Sequence, residues 1–522
     1  MSQLWFGGKI YTMQQDGETV EAVLVEDGKI KKIGAYKELK SLATEIIDLQ
    51  GAVMYPGFVD SHLHMIGHGE KLLRLDLTTV KSADEMLAVI KLAAANRSED
   101  EWLIAEGWNE FQFTDQRIPT AQELDDIRHA PIVLKRVCRH VLLANTSAML
   151  AGSITKETQN PSGGEIGRDK NGQLTGLLYD QALYKVLDQI PSNQEYSLSD
   201  ALELAVNHML SLGLTGGHTE DMSYYGHFSN PLKAFVEVIG KKKNFRAHLL
   251  RHHLMFKEMM TTNTKYAEPY IEPGAMKIFS DGALGGATAA LLEPYSDQPG
   301  NKGLFIHTAE QLNQLVKMAR HYDEAVAVHI IGDAALAQVL TVIEANPLTN
   351  GKKDRLIHCS VVNKELIERM RKLPVILDVQ PQFILSDFPW VVDKVGQQRA
   401  QLMFPFKSFL EHDLICAGGS DAPIEEVNPL LGIHAAIARK KREHAHDGFI
   451  PSEKLTRFEA ISLYTTGSAK AIGKEAVRGM IQQGFDADFS IFDKDLFTCN
   501  EDEIPDAVAL KTIVAGNVVF SK

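Results

Sequence analysis

The sequence predicts an α/β fold built on a (β/α)8 barrel, and three observations lead there. Eight short apolar runs are spaced along the middle of the chain, stretches of helical period fall between or after them, and polar residues close several of the runs. A barrel is the closed arrangement that uses eight strands separated by helices. An open doubly wound sheet is the alternative that the same pattern allows.

From Leu4 to Val53 the chain is turn-rich. LWFGGKIYTM, AVLVEDGKIKKIG and EIIDLQGAVMYPG carry apolar runs bounded by DG and GG, which predicts strands in hairpins. DADFSIFDKD and KTIVAGNVVFSK repeat this style near the other end, so both termini are expected to build one small β domain. A separate domain at each end reads alike. Barrel strands are expected over 57–61, 213–219, 246–251, 275–280, 325–330, 355–358, 375–380 and 413–417, with helices over 199–212, 309–321 and 455–471. About 150 residues separate the first strand from the second, far more than the roughly 30 of a βαβ unit. A subdomain is therefore inserted over 70–207, where EWLIAEGWNEFQF and APIVLKRVCRHVLLANTSAM read as strands whose polar tips lean over the barrel mouth. The expected division is a β domain from 1–55 and 475–522, a barrel over 56–474, and the α+β insertion within it.

Composition excludes several classes. With 44% apolar and 23% charged residues over 522 positions, a disordered or collagen-like chain is ruled out. No apolar run approaches the roughly 18 to 20 residues needed to span a bilayer, and MSQLWFGGKIYTM lacks a basic start and apolar core, so a soluble, cytoplasmic protein with no membrane partner is expected. Lys+Arg 54 against Asp+Glu 68 gives 54 − 68 = −14, which argues against a nucleic-acid partner. Cys138, Cys359, Cys416 and Cys499 are scattered without a CxxC, which speaks against a zinc ribbon or a disulfide scaffold.

The chemistry begins in PGFVDSHLHM, residues 56–65. Residues two apart on a strand share a side, so His62 and His64 can face one ion while Leu63 packs behind them. HxH also occurs by chance, and its place at a strand end after Asp60 is what favours metal. His329 closes AVAVH, His358 closes DRLIH, and Asp421 follows DLICAGGS, where barrels place catalytic groups. One buried histidine is ordinarily a hydrogen-bonded core residue, but four with an aspartate at strand ends are hard to place independently. Imidazole and carboxylate suit zinc or another divalent transition metal. Lys277 lies inside AMKIFSD, where an unpaired ammonium is costly to bury. It either snorkels or adds carbon dioxide to form a carbamate that bridges two metals.

Together these residues resemble the amidohydrolase superfamily: HxH after the first strand, Lys after the fourth, His after the fifth and sixth, Asp after the eighth. KIFSDGALGGATAAL, VHIIGDAA, QPQF, GSDAP and RGMIQQGFDADFSIFD narrow the resemblance to its YtcJ-like (amidohydrolase 3) branch, which includes N-substituted formamide deformylases. The resemblance implies metal ligands at His62, His64, Lys277, His329, His358 and Asp421, a composite β-sandwich from both termini, and a TIM-like barrel holding one or two divalent ions, zinc expected. It further implies a hydrolase of a non-peptide carbon–nitrogen bond in a small amide or formamide. Asp421 would be the general acid/base, with His358 beside it, and hydroxide would come from water whose pKa a metal lowers toward about 7.

Substrate contacts are expected at His218, Asp281, Trp108, Arg136, His140 and Gln380. His218 in LTGGHTED, with Glu220 and Asp221 after it, reads equally as a satisfied core histidine, and packing within the insertion accounts most simply for Trp108. Two rivals stay open: a mononuclear deaminase of an aminated heterocycle with Lys277 unmodified, and a non-catalytic barrel relative. Self-association into a homo-oligomer is also open.

Overall fold

The computed structural model describes residues 2–95, 97–98, 101–115, 117–136, 141–161, 164–190, 197–262, 266, 268–349 and 351–522. Eight parallel strands form the central sheet. In hydrogen-bonding order from one edge they are Phe58–Leu63, Leu214–Thr219, Arg246–His252, Ile271–Phe279, Val326–Ile330, Asp354–His358, Val375–Val379 and Ile415–Gly418. Sequence order and spatial order coincide, and the first and eighth strands meet again across the seam, where Asp421 N donates to His62 O at 2.7 Å. The sheet is thereby a nearly closed (β/α)8 barrel. Small side chains fill part of its interior: Ala275, Ala325 and Ala327 pack with Leu250 and Ile357.

The helices follow from local chemistry. Ala309–His321 starts on a capping box, with Gln311 N donating to Thr308 Oγ1 (3.2 Å) and Thr308 N to Gln311 Oε1 (2.9 Å). Its buried face is Leu312, Val316 and Ala319, the i, i+4, i+7 row. The single helix expected over 455–471 is two, Arg457–Leu463 and Thr466–Ala471, because Thr465 takes φ −123°, ψ −92° and turns its hydroxyl back onto Ile461 O at 3.0 Å. The fourth barrel strand starts earlier than expected. It begins at Ile271, and Pro273 and Gly274 lie within it, at a register shift beside Leu249 and Arg251. A Cβ at Gly274 would come 2.6 Å from His248 Nε2, so close approach, not turning, requires glycine there.

Strands from both termini join in one eight-stranded sheet. Val53–Pro56, immediately before the barrel, pairs antiparallel with Phe489–Phe492, and Ser2–Tyr11 lies on its other side. One face buries Trp5, Val23, Met54, Phe489 and Ile513 together. Gly69–Ala201 is a compact unit of its own. It has a mixed six-stranded sheet with apolar clusters around Val133 and Leu178 and around Leu103 and Trp108. Among the described residues no helix is long and apolar enough to cross a membrane.

Candidate metal centre

Alternation along the first barrel strand puts Asp60 and His62 on the inner side, with His64 just past its end, and Leu63 buried between the two histidines. Asp60 accepts from His62 N (3.0 Å) and from Ser420 N (3.2 and 3.1 Å), which ties this strand to the loop after the eighth. The loop can lie that close because residue 419 is glycine: a Cβ there would sit 2.5 Å from His62 N. Asp421 takes a left-handed backbone, φ 57°. Its Oδ1 stands 3.5 Å from both His62 Nε2 and His64 Nε2. Ligand atoms of His62, His64 and Asp421 all lie within 4.8 Å of one another, the one such trio among the described residues.

Neighbouring groups fix the imidazoles. His64 Nδ1 donates to Glu220 O at 2.5 Å and so turns its Nε2 toward Asp421. His358 Nδ1 donates to Gln380 Oε1 at 2.7 Å and so keeps its own Nε2 unprotonated. Lys277 Nζ lies 3.3 Å from His62 Nε2 and 4.8 Å from the centre of the Phe279 ring. The His358 ring is 5.6 Å from that of His62 and 4.7 Å from that of His329. His329 turns its Nε2 to Gly282 O at 3.2 Å.

Burial and neighbouring charges set the charge states. Burial, reinforced by Lys277, holds His62 well below the ordinary imidazole range, and burial lowers His358 to about 4. Burial pushes Asp421 upward, but the His64 hydrogen bond and nearby cationic groups prevail and hold it below its usual value. His64 is raised in turn, because Asp421 outweighs its desolvation. Desolvation brings Lys277 down to about 8. Two imidazoles and an anionic carboxylate converging in a buried site fit a divalent transition metal.

The other expected contacts are each held by neighbours of their own. His218 is enclosed, with Nδ1 3.3 Å from Arg355 Nη2, and borders a small cavity with Gly57, Arg246 and Glu272, near the beginnings of their strands. Asp281 spends its oxygens on the amides of Ala290 (2.9 Å), Ile331 (3.0 Å) and Gly332 (2.8 Å), holding the loop after Lys277. Gln380 orients His358, as above. Within the insertion, Trp108 is fully buried and donates to Leu134 O at 3.0 Å, while Arg136 Nε pairs with Glu110 at 2.8 Å. His140 and Cys138 lie outside the described residues.

Two features carried no signal in the sequence. Tyr224, in the turn after the second strand, sets its ring edge against His64 at 5.4 Å. Arg355 crosses the barrel interior: from the sixth strand it pairs with Asp378 on the seventh (2.8 Å) and donates to Ser61 O on the first (2.6 Å).

Residues 45–520 match the amidohydrolase family. The chain is 47% identical to YtcJ of Bacillus subtilis (strain 168), a provisionally named amidohydrolase, over the whole of both proteins. It is 27% identical to an N-substituted formamide deformylase of Arthrobacter pascens, covering 98% of this chain and 97% of that one. Among solved structures, an uncharacterized metal-dependent hydrolase of Pyrococcus horikoshii superposes with a TM-score of 0.79 at 27% identity, over 96% of this chain and 99% of that one. Guanine deaminase of E. coli shares the fold at a TM-score of 0.54 and 12% identity.

Proposed function

The chain belongs to the amidohydrolase family and is a metal-dependent hydrolase of it, and from that premise we propose that it cleaves a non-peptide carbon–nitrogen bond of the amide or formamide type in a small molecule. The observation that carries this reading is the convergence of His62, His64 and Asp421 at the carboxyl ends of the first and eighth strands. A divalent ion held there, zinc by the chemistry of its donors, supplies Lewis acidity that lets water ionise near pH 7 and polarises a carbonyl.

The remaining work falls to side chains. Asp421, kept anionic, accepts the proton of the attacking water and delivers it to the departing nitrogen. His358, neutral and fixed by Gln380, presents an unprotonated Nε2. Lys277 is a candidate for carboxylation, since burial brings its amine within reach of the neutral, nucleophilic form. Asp421→Asn should retain much of the metal and lose nearly all turnover on a panel of amides and formamides. An active variant would remove Asp421 from the proton-transfer role.

One observation favours a second reading. His329 Nε2 is committed to Gly282 O, and the tight trio could hold a single ion. That suits a mononuclear deaminase acting on an aminated ring. Metal analysis separates the two readings: about two ions per chain favours the carbamate-bridged amidase, and about one the deaminase.

A further inference from the structure

One inward-facing histidine of the barrel stands apart from the metal trio. His252 ends the third strand, in RHHLMF, and is the Cα partner of Lys277 on the fourth. Paired residues of neighbouring parallel strands project to the same side of the sheet, so His252 faces inward with Lys277, whose Nζ meets His62. The His252 ring centre lies 5.9 Å from that of Phe279, and Phe279 lies 5.3 Å from His329. A row of rings, His329, Phe279 and His252, thus runs across the carboxyl ends of the fifth, fourth and third strands.

The tautomer of His252 is fixed by its own backbone surroundings. Leu254 N, in the first turn of the helix His253–Thr261, donates to His252 Nδ1 at 3.3 Å, so Nδ1 carries the lone pair and the ring hydrogen sits on Nε2. Burial, then the neighbouring His253, brings the group down to about 4, in agreement with a neutral ring. Nε2 donates to no group among the described residues. It is not sealed in, for the residue keeps 7% exposure and this nitrogen is reached from outside. A polar hydrogen held still at the edge of a buried site, without an acceptor of its own, is one that a bound molecule can satisfy. The next rings outward, His253 and His307, are also lowered by burial, and Lys277 is turned to His62. The row therefore offers a donor but no cation, which suits an uncharged acceptor and not a carboxylate.

We propose that His252 determines specificity: its Nε2–H holds an uncharged hydrogen-bond acceptor of the substrate, such as a ring nitrogen, while the apolar body between that acceptor and the scissile bond lies along Phe279. The assignment rests on the amide-hydrolase reading above and narrows its substrate class. With Phe279 between it and His329, His252 is too far from the centre to hold the carbonyl under attack. Its contact is made alike in the bound substrate and in the transition state, so its loss appears in KM and not in kcat.

The test separates this contact from the helix cap that the same side chain provides. His252→Asn keeps an acceptor for Leu254 N, since asparagine is a favoured N-cap, but has no donor at the reach of Nε2. His252→Gln gives up the cap and extends an amide donor to that reach. Full-length wild type and both variants, loaded with zinc, are assayed on N-(pyridylmethyl)formamides and on their phenyl counterpart, which lacks the ring nitrogen. Wild type should favour at least one pyridyl isomer over phenyl by roughly threefold or more in kcat/KM. In His252→Asn that preference should vanish through a KM for the pyridyl substrate raised roughly three- to tenfold, with kcat, zinc content and melting temperature held. His252→Gln should restore the preference at a lower melting temperature. Should the asparagine variant not fold, His252→Phe, a ring without a donor, carries the same expectation for KM. A donor-less variant with wild-type KM and preference, or one that loses kcat alone, overturns the specificity role and leaves the hydrolase reading standing. So does a wild type that cleaves both series without distinguishing them. A zinc-loaded wild type that cleaves no formamide or amide overturns the reading beneath and this assignment with it.

Discussion

Arg355 shows how much a single side chain beneath a metal centre can be asked to do. It is 1% exposed, paired with Asp378, and donates to the carbonyl just before His62. Arg355→Met would strand Asp378 in the barrel interior, and breaking a buried pair from one side costs about 3–5 kcal/mol. Arg355→Met with Asp378→Leu removes both charges and should recover much of that loss, since a buried pair is often replaceable by apolar residues. Urea unfolding of the two single variants and the double variant checks the expectation. Little of this was legible. His62, His64, His329, His358 and Asp421 stood out because each closes or follows an apolar run. Arg355 opens one, in DRLIH, and looks like any polar strand start, because its partners come from other strands. Gln380 was legible as a polar strand end, but only the fold shows that His358 occupies its amide oxygen.

At the scale of elements, the terminal segments are joined to the barrel by charge as well as by strands. Asp486, just before the strand Phe489–Phe492, meets Lys29 at 2.5 Å, Arg478 at 2.8 Å and Arg246 of the third barrel strand at 3.3 Å. Arg246 also grips Asp488 through two nitrogens, at 2.8 and 3.0 Å. Burial alone would raise the Asp486 carboxyl, but Arg246, Lys29 and Arg478 outweigh it and hold the group below its ordinary value. The stability it contributes is therefore present above the unfolded value of about 3.9 and is lost as pH falls through the lower folded one. Asp486→Asn should lower the melting temperature near pH 6 and narrow the gap to wild type as pH drops toward 3. A gap constant over that range would show that the carboxylate contributes no linkage. The elements themselves were readable where period and caps agree, as in Ala309–His321. They were misread where one residue decides, as at Thr465 and Gly274.

At the scale of the molecule, the chain returns to its beginning twice. The strand Phe489–Phe492 completes the pairing of Val53–Pro56, and its Phe489 and Ile491 pack with Trp5 and Met54. Deleting residues 487–522 should leave that apolar face uncovered and yield aggregated protein rather than a soluble barrel, which expression and size-exclusion chromatography would show. A soluble, metal-binding truncation would establish that the barrel stands without its terminal sheet. The second return is at the seam, where Asp60 and Ser420, 360 positions apart, are hydrogen-bonded and bring Asp421 to His62 and His64. During synthesis, then, the trio cannot assemble until the ribosome has passed Asp421, some 360 residues after the two histidines. A nascent or prematurely terminated chain carries the two histidines but not their aspartate, so it holds an incomplete set of ligands and would not retain a metal ion firmly.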